Sequence, residues 1–352
     1  MKYLLVDAAN LFFRVRHTAH RGASLDDKLG LSMHILFVSI SKAVKQFGVD
    51  HVMFAHEGRS WRRDIYDPYK KPRAEARQAR TETEQEEDEL YWETFNDMTK
   101  YLQEHSNCTV LREPNAEADD LIAMWIFLHP EDEHIILSSD TDFYQLLNET
   151  VTQYNGITKE YITTEGVFND NGTPVIDKKT QEPKQIGDPE WLLFEKCMRG
   201  DTSDNIFSAY PGVRKKGSKN KTGLLEAFED RNKKGYAWNN LMLQRWMDHE
   251  EKEHRVMDDY ERNRKLIDLT LIPAQIEEAI IDEMENTISA DIYKRVPANQ
   301  VSFQFMKFCG RHDLQRLAEH PEDTVRWIVK PYPKDVTHFK ETRTWRKLKQ
   351  KQ

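Results

Sequence analysis

Two hydrophobic rhythms alternate along the chain. Tyr3-Leu4-Leu5-Val6 is an unbroken apolar run closed by Asp7, the pattern of a strand buried on both faces. Leu31 to Gln46 carries apolar residues at helical spacing, and His51-Val52-Met53-Phe54-Ala55 predicts a second short strand. Leu90 to Leu102 predicts an amphipathic helix, Thr109-Val110-Leu111 a strand, and Ala118 to Leu128 a helix with Asn115 as its N-cap. His134 to Leu137 predicts another buried strand, followed by a short helix over Phe143 to Leu147. Strands alternating with helices imply an α/β fold with a mainly parallel central sheet flanked by helices.

Other stretches break the alternation. From Glu57 to Asp88 the chain is polar, first basic and then acidic, and has no face to bury, so it predicts a mobile loop or an exposed arch of helix. Residues 150–187 contain the turn signals Asn155-Gly156 and Asn171-Gly172 and predict a hairpin-rich excursion. From Trp191 the pattern is helical. The expected organisation is an α/β part over 1–186 with the arch at about 57–90, a helical part over 187–329, and a weakly ordered basic tail over 330–352.

Composition changes this picture little. The 352 residues are 38% hydrophobic, enough for a sizeable core, and nothing approaches a transmembrane run. Cys108, Cys197 and Cys309 are too far apart in sequence for a disulfide framework or a zinc site, which predicts a reducing cytoplasm. The net charge of −9 argues by itself against nucleic acid, but its distribution matters more. Basic residues gather at Arg59 to Arg80, Arg214 to Lys221 and beyond Lys330, while Glu82 to Glu89 reads as a solvated acidic face.

Candidate chemistry lies in four acidic groups at element boundaries. Asp7 ends the first strand, Glu117-Ala118-Asp119-Asp120 opens a helix, Ser138-Ser139-Asp140-Thr141-Asp142 follows a strand, and Gly200-Asp201-Thr202-Ser203-Asp204-Asn205 follows a helix. Each alone has a bland account as a turn or capping residue. Together they place carboxylates where parallel sheets bind ligands, beyond the strands' carboxyl ends. Such a crowd repels itself unless cations neutralise it, and all-oxygen ligands suit Mg²⁺ or Mn²⁺ rather than zinc. Two such ions about 3.5–4 Å apart activate a water and stabilise the oxygen leaving a phosphodiester.

In this order the four motifs resemble the flap endonuclease/5′–3′ exonuclease family, closest to its phage ribonuclease H type, over roughly residues 1–275. The resemblance implies a structure-specific 5′→3′ exonuclease and flap endonuclease that removes RNA primers and 5′ flaps, with two Mg²⁺ for which Mn²⁺ can substitute. It implies metal-site roles for Asp7, Glu117, Asp119, Asp120, Asp140, Asp142, Asp201 and Asp204, with Asp7 and Asp119 nearer the first metal and Asp140, Asp142 and Asp204 nearer the second. The family has an Asp just after its second strand. Here the stretch is Phe54-Ala55-His56-Glu57-Gly58, so either Glu57 replaces it with a longer reach or His56 occupies its place; a carboxylate keeps the charge Mg²⁺ prefers, which favours Glu57.

The same resemblance gives Lys70 and Arg73 a catalytic place on the scissile phosphate, with Arg62, Arg63 and Lys71 on nucleic acid beside them. Asn10, Arg14 and His17 match residues near the active site, Arg14 as a phosphate ligand. Residues 200–228 resemble the family's helix–turn–helix module, which grips duplex DNA and often binds K⁺. There Gly212, Val213, Arg214, Lys215, Lys216, Lys219, Lys221 and Thr222 are the expected DNA contacts, and the insertion Arg214 to Lys221 among them is longer and more basic than usual. The implied partners are branched or flapped DNA, RNA–DNA hybrid, and a single-stranded-DNA-binding protein or sliding clamp. The enzyme is expected to be a monomer, phage-encoded, in the host cytoplasm and away from membrane. A non-catalytic flap- or junction-binding protein and a PIN-like RNA endonuclease are the competing readings.

Overall fold

All four of the predicted strand runs assemble into one sheet in the computed structural model, which describes residues 1–14, 24–210, 223–293, 295–334 and 339. The chain divides into two compact units, each discontinuous in sequence: Met1–Arg59, Thr81–Gln185 and Ala274–Gln352 in the first, Ser60–Arg80 and Ile186–Pro273 in the second. The helices from Ala274 onward therefore group with the sheet, and not with the helical part that a division near residue 187 assigns them to.

The first unit is built on β1 (Lys2–Asp7), β2 (His51–Ala55), β3 (Thr109–Leu111), β4 (Glu133–Leu137) and β5 (Val151–Asn155), all parallel, extended by an antiparallel meander of β6 (Glu160–Thr163) and β7 (Gly166–Asn169). The strand order is β3-β2-β1-β4-β5-β6-β7. The supposed excursion at 150–187 thus begins as a sheet strand. β1 and β2 are buried along almost their whole length, which is why they read as continuous apolar runs rather than alternating ones. The chain moves outward from β1 through β2 to β3, then returns to the other side of β1 as β4. That reversal is a topological switch point, and a crevice opens at such a point beyond the strands' carboxyl ends. In register, Asp7 pairs with Ala55 and Val6 with Leu137, so the ends of β2, β1 and β4 are level.

Helices α1 (Ala8–Arg14), α2 (Leu25–Phe47), α5 (Glu82–His105), α6 (Ala118–Leu128), α11 (Ala274–Tyr293), α12 (Ala298–Arg311), α13 (Gln315–Glu319) and α14 (Pro321–Ile328) belong to this unit. α2 starts on a Ser24–Asp27 capping box and stops at Gly48, whose φ of 66° ends it in a left-handed turn. Its buried Leu29, Met33, Leu36, Phe37, Ile40 and Val44 keep helical spacing and share a core with Phe305, Phe308 and Trp327. Burying each such side chain contributes about 1.5–3 kcal/mol, which is what binds the last helices to the sheet.

α5 begins eight residues before the predicted Leu90. Thr81 and Glu84 form a capping box that starts the helix inside the acidic run, although burial begins only at Tyr91. The expected basic tail also differs at its start. Tyr332 is buried with its hydroxyl 2.7 Å from His129 Nε2, Lys334 pairs with the buried Asp132, and Phe339 is fully buried. These contacts fasten the described part of the segment to the first unit; the remainder lies outside the described residues.

The second unit holds α3 (Arg62–Ile65), α4 (Lys71–Gln78), α7 (Pro189–Arg199), α8 (Leu224–Asp230), α9 (Tyr236–Met242), the hairpin β8 (Arg245–Met247) and β9 (Glu253–Arg255), and α10 (Val256–Ile267). Phe194, Met198, Leu224, Trp238, Met242 and Val256 form its core.

Candidate active site

In the first unit the level ends of β2, β1 and β4 line up acidic residues. Asp7, 4% exposed, is held by two donors: Ser138 Oγ to Oδ2 at 2.9 Å and the Asn10 amide to Oδ1 at 3.3 Å. Asn10 Oδ1 in turn accepts from Ser139 Oγ at 2.9 Å, so the start of α1 is tied to the loop after β4. That loop is fixed from below by the buried Gln153 of β5, whose amide donates to the carbonyls of Ser138 (3.0 Å) and Asp140 (2.8 Å). Asp140 caps a short 3₁₀ helix over Thr141–Leu146 by accepting from the Asp142 amide at 3.0 Å. Asp140 and Asp142 are half-buried.

The second strand's exit is equally constrained. The His56 amide donates to Leu111 O, Gly58 to Ala116 O (2.8 Å) and Arg59 to Pro114 O (2.6 Å), so residues 56–59 run along 111–116 toward the start of α6. Only glycine fits at 58. A Cβ there would lie 2.1 Å from Glu113 O and 2.7 Å from Ala116 O. The true N-cap of α6 is Glu117, two residues after the predicted Asn115, in a capping box with Asp120 (Glu117 amide to Asp120 Oδ2, 3.1 Å). Glu117 and Asp120 are buried, and Asp119 is half-buried between them. His56 packs its ring on Phe95 of α5 (centroids 5.1 Å apart), and burial together with Arg112 pulls its pKa down to about 4, so it is neutral at pH 7. Glu57 is exposed.

The remaining carboxylates lie in the second unit. Gly200 ends α7 with φ 73°, and a Cβ on it would come within 2.2 Å of Ile206 O. Asp201 Oδ1 accepts from the Ser203 amide (2.7 Å) and hydroxyl (2.6 Å), and Oδ2 meets Lys196 Nζ at 2.8 Å. Burial raises its pKa, but Lys196 and the Ser203 bonds outweigh this and hold it at about 2. Asp201 therefore shapes the turn that presents Asp204. Asp204 Oδ1 meets Arg73 Nη2 at 2.7 Å, and Oδ2 accepts from the Tyr69 hydroxyl at 3.1 Å with Lys70 Nζ at 3.7 Å.

Of the expected nucleic-acid contacts, Arg63 and Lys71 are exposed, Lys71 facing Asp67 at 3.4 Å. Arg62 differs. It is 2% exposed and its Nε donates to Leu266 O at 2.7 Å, so its guanidinium fastens α3 to the end of α10 instead of facing solvent. The side chain of Arg14, His17, and Gly212, Val213, Arg214, Lys215, Lys216, Lys219, Lys221 and Thr222 lie outside the described residues, as does the stretch 211–222 of the expected helix–turn–helix. Sequence reading missed Gln153, Tyr69 and the packing role of Gly58.

Among the described residues no three His, Cys, Asp or Glu side chains are gathered closely enough to hold an ion as they stand. The donor type nevertheless suits a hard divalent cation, since the groups at the strand ends are carboxylate oxygens.

An open, mainly parallel sheet with carboxylates at its switch point is an arrangement of the 5′ nuclease fold, and the fold comparison gives that class. Residues 2–172 match the family of 5′–3′ exonuclease N-terminal, resolvase-like domains. The chain is 29% identical over 231 residues to flap endonuclease Xni of Shewanella piezotolerans, covering 64% of this chain and 77% of that one. It is 27% identical over 232 residues to a 5′–3′ exonuclease of Mycoplasmopsis pulmonis, covering 65% and 68%. In fold it is similar to the bacteriophage T5 flap endonuclease complexed with DNA and metal ions (TM-score 0.53, 18% identity, 91% of this chain and all of that one). The same phage protein co-crystallised with metal ions gives a TM-score of 0.56 at 18% identity, over 82% and 99% of the two chains. These matches support the flap endonuclease/5′–3′ exonuclease family for the chain.

Proposed function

We propose that the chain is a divalent-metal-dependent, structure-specific 5′ nuclease that hydrolyses phosphodiester bonds in flapped DNA and in RNA–DNA hybrid. The observation that carries this reading is the row of carboxylates at the level ends of β2, β1 and β4, with Asp7 pinned by Ser138 and Asn10 at the switch point. Asp7, Glu57, Glu117, Asp119, Asp120, Asp140, Asp142 and Asp204 are the groups assigned to metal; Asp201 supports Asp204 through its turn. Mg²⁺ is the assigned ion, with Mn²⁺ as a substitute. When bound, such cations supply a polarised water and a counter-charge for the departing oxygen.

The chain's own groups do the rest. Ser138 and Asn10 orient Asp7, and Gln153 holds the loop that carries Asp140. Lys70 and Arg73 stabilise charge on the phosphoryl oxygens, and Arg63 and Lys71 attract the backbone. Primer removal by RNase H activity, a phage source and K⁺ at the helix–turn–helix are finer expectations that rest on the resemblance.

The test is a 5′-labelled flap, DNA-ended or RNA-ended, incubated with Mg²⁺. The parent shortens it from the 5′ end, EDTA stops the reaction, and Asp140→Asn binds the flap without cutting it. Full binding with no cleavage in any divalent metal would leave the protein a flap-binding module.

A further inference from the structure

The two cations assigned to substrate phosphate are already engaged. Arg73 Nη2 contacts Asp204 Oδ1 at 2.7 Å and its Nε donates to Ser203 O at 3.1 Å, while Lys70 Nζ stands 3.7 Å from Asp204 Oδ2. The buried Tyr69 hydroxyl donates to the same Oδ2. The backbones are locked as well: the Lys70 amide donates to Asp204 O (2.8 Å) and Asn205 Nδ2 to Pro68 O (2.8 Å). Lys70 and Asn205 both adopt left-handed backbone conformations, φ 52° and 59°, at this seam. Asp204 is thus neutralised internally by the groups that are to meet phosphate, and those groups are neutralised by the carboxylate that is to meet a cation.

We propose that this is a charge interlock, in which Asp204 serves as the stand-in for phosphate on Arg73 and Lys70, and they serve as the stand-in for a cation on Asp204. The proposal rests on the 5′ nuclease reading and deepens it. A divalent cation at Asp204 competes with Arg73 and frees it for phosphate; a phosphate on Arg73 frees Asp204 for the cation. By linkage each ligand then strengthens the other to the same degree. Tyr69, whose hydroxyl bond survives either exchange, is a positioning residue that keeps Asp204 in place.

The test is binding without catalysis. Fluorescence anisotropy with a labelled 5′-flap DNA in EDTA is run across a salt series for the parent, Asp204→Asn and Glu75→Gln. Glu75 lies on the exposed part of α4 close to Arg73 in sequence and controls for the loss of one negative charge. The expected result is that Asp204→Asn binds about fivefold tighter than Glu75→Gln, the upper end for exposed ion pairs. Its salt dependence should steepen by about 0.7–0.9 for each cation released to phosphate. Equal affinities and slopes for the two variants overturn the interlock. A second measurement does not depend on the Asp204 variant folding: Arg73→Gln should bind Mn²⁺ more tightly than the parent in DNA-free solution, read by electron paramagnetic resonance of the free ion. Unchanged Mn²⁺ affinity also overturns it. Both failures are compatible with a parent that still cleaves flaps, whereas a parent that neither binds nor cuts fails the nuclease reading itself.

Discussion

Gly58 joins the fold to the site, and Gly58→Ala tests that joint. The added Cβ would sit 2.1 Å from Glu113 O and 2.7 Å from both Pro114 O and Ala116 O. All three are backbone atoms of one turn, so no side-chain rotation relieves the clash, and the segment must separate from 113–116. Overpacking of this kind costs about 1–3 kcal/mol. Separation also weakens the Gly58–Ala116 and Arg59–Pro114 hydrogen bonds, each contributing about 0.5–1.5 kcal/mol. The expected total is a loss of about 2–4 kcal/mol, read as a lower urea midpoint with unchanged slope. Gly172→Ala is the internal reference: its φ of 74° carries strain, but nothing lies within 4 Å of the new Cβ, so about 1–2 kcal/mol is expected. Flap cleavage by Gly58→Ala should fall further than stability accounts for at a temperature where the variant is fully folded, because Glu57 and Glu117 lose their fixed spacing. A Gly58→Ala protein within about 0.5 kcal/mol of the parent, or less destabilised than Gly172→Ala, would refute the reasoning.

Glu57→Gln should reduce flap cleavage far more than His56→Ala, since Glu57 is exposed at the strand end and His56 is buried against Phe95; the opposite ranking in a kcat comparison rejects Glu57 as the replacement for the family's aspartate. Acid should destabilise the first unit in a defined window. Burial lowers the pKa values of His51, His56 and His134 to about 4, against about 6.5 when unfolded, so the unfolded chain takes up more protons between these values. Stability is then fully present above about pH 6.5 and falls as the pH drops toward 4, by up to about 1.4 kcal/mol per pH unit for each histidine. Urea titrations over that range check the sign, and His134→Leu should flatten the slope. Arg62→Ala should destabilise through the lost Leu266 contact and should leave the salt dependence of DNA binding unchanged, in contrast to Arg63→Ala, which should reduce it.

Much of the sheet was legible because a doubly buried parallel strand has no alternative sequence pattern: Tyr3 to Asp7, His51 to Ala55 and His134 to Leu137 all announce themselves. Less legible was anything decided by a cap or by distant packing. α5 looked eight residues shorter than it is because a Thr81–Glu84 capping box, and not an apolar face, starts it. The last helices looked like part of a separate helical region because amphipathic helices carry no mark of which core receives them. Contacts such as Phe37 with Phe305, Phe308 and Trp327 reveal the partner. Lys330 onward looked like a charged tail since two anchoring aromatics, Tyr332 and Phe339, are diluted among lysines and arginines.

The site divides along the same line. Residue type and boundary position identified the carboxylates, because a charge placed where a strand ends is unusual enough to notice. What sequence does not carry is which of them are already satisfied. Asp7 accepts two hydrogen bonds and still ends a strand at the switch point; Glu117 and Asp120 cap each other; Asp201 is spent on Lys196 and Ser203. These are the bland roles that a lone Asp or Glu has, and here they coexist with the chemical one. A carboxylate has four lone-pair sites, so accepting a capping or turn hydrogen bond does not by itself disqualify it as a cation ligand. The capping and turn bonds therefore do not compete with the nuclease reading. They fix the local backbone around each carboxylate, and Asp204, held by Arg73, Lys70 and the Tyr69 hydroxyl, is the carboxylate whose partners must change.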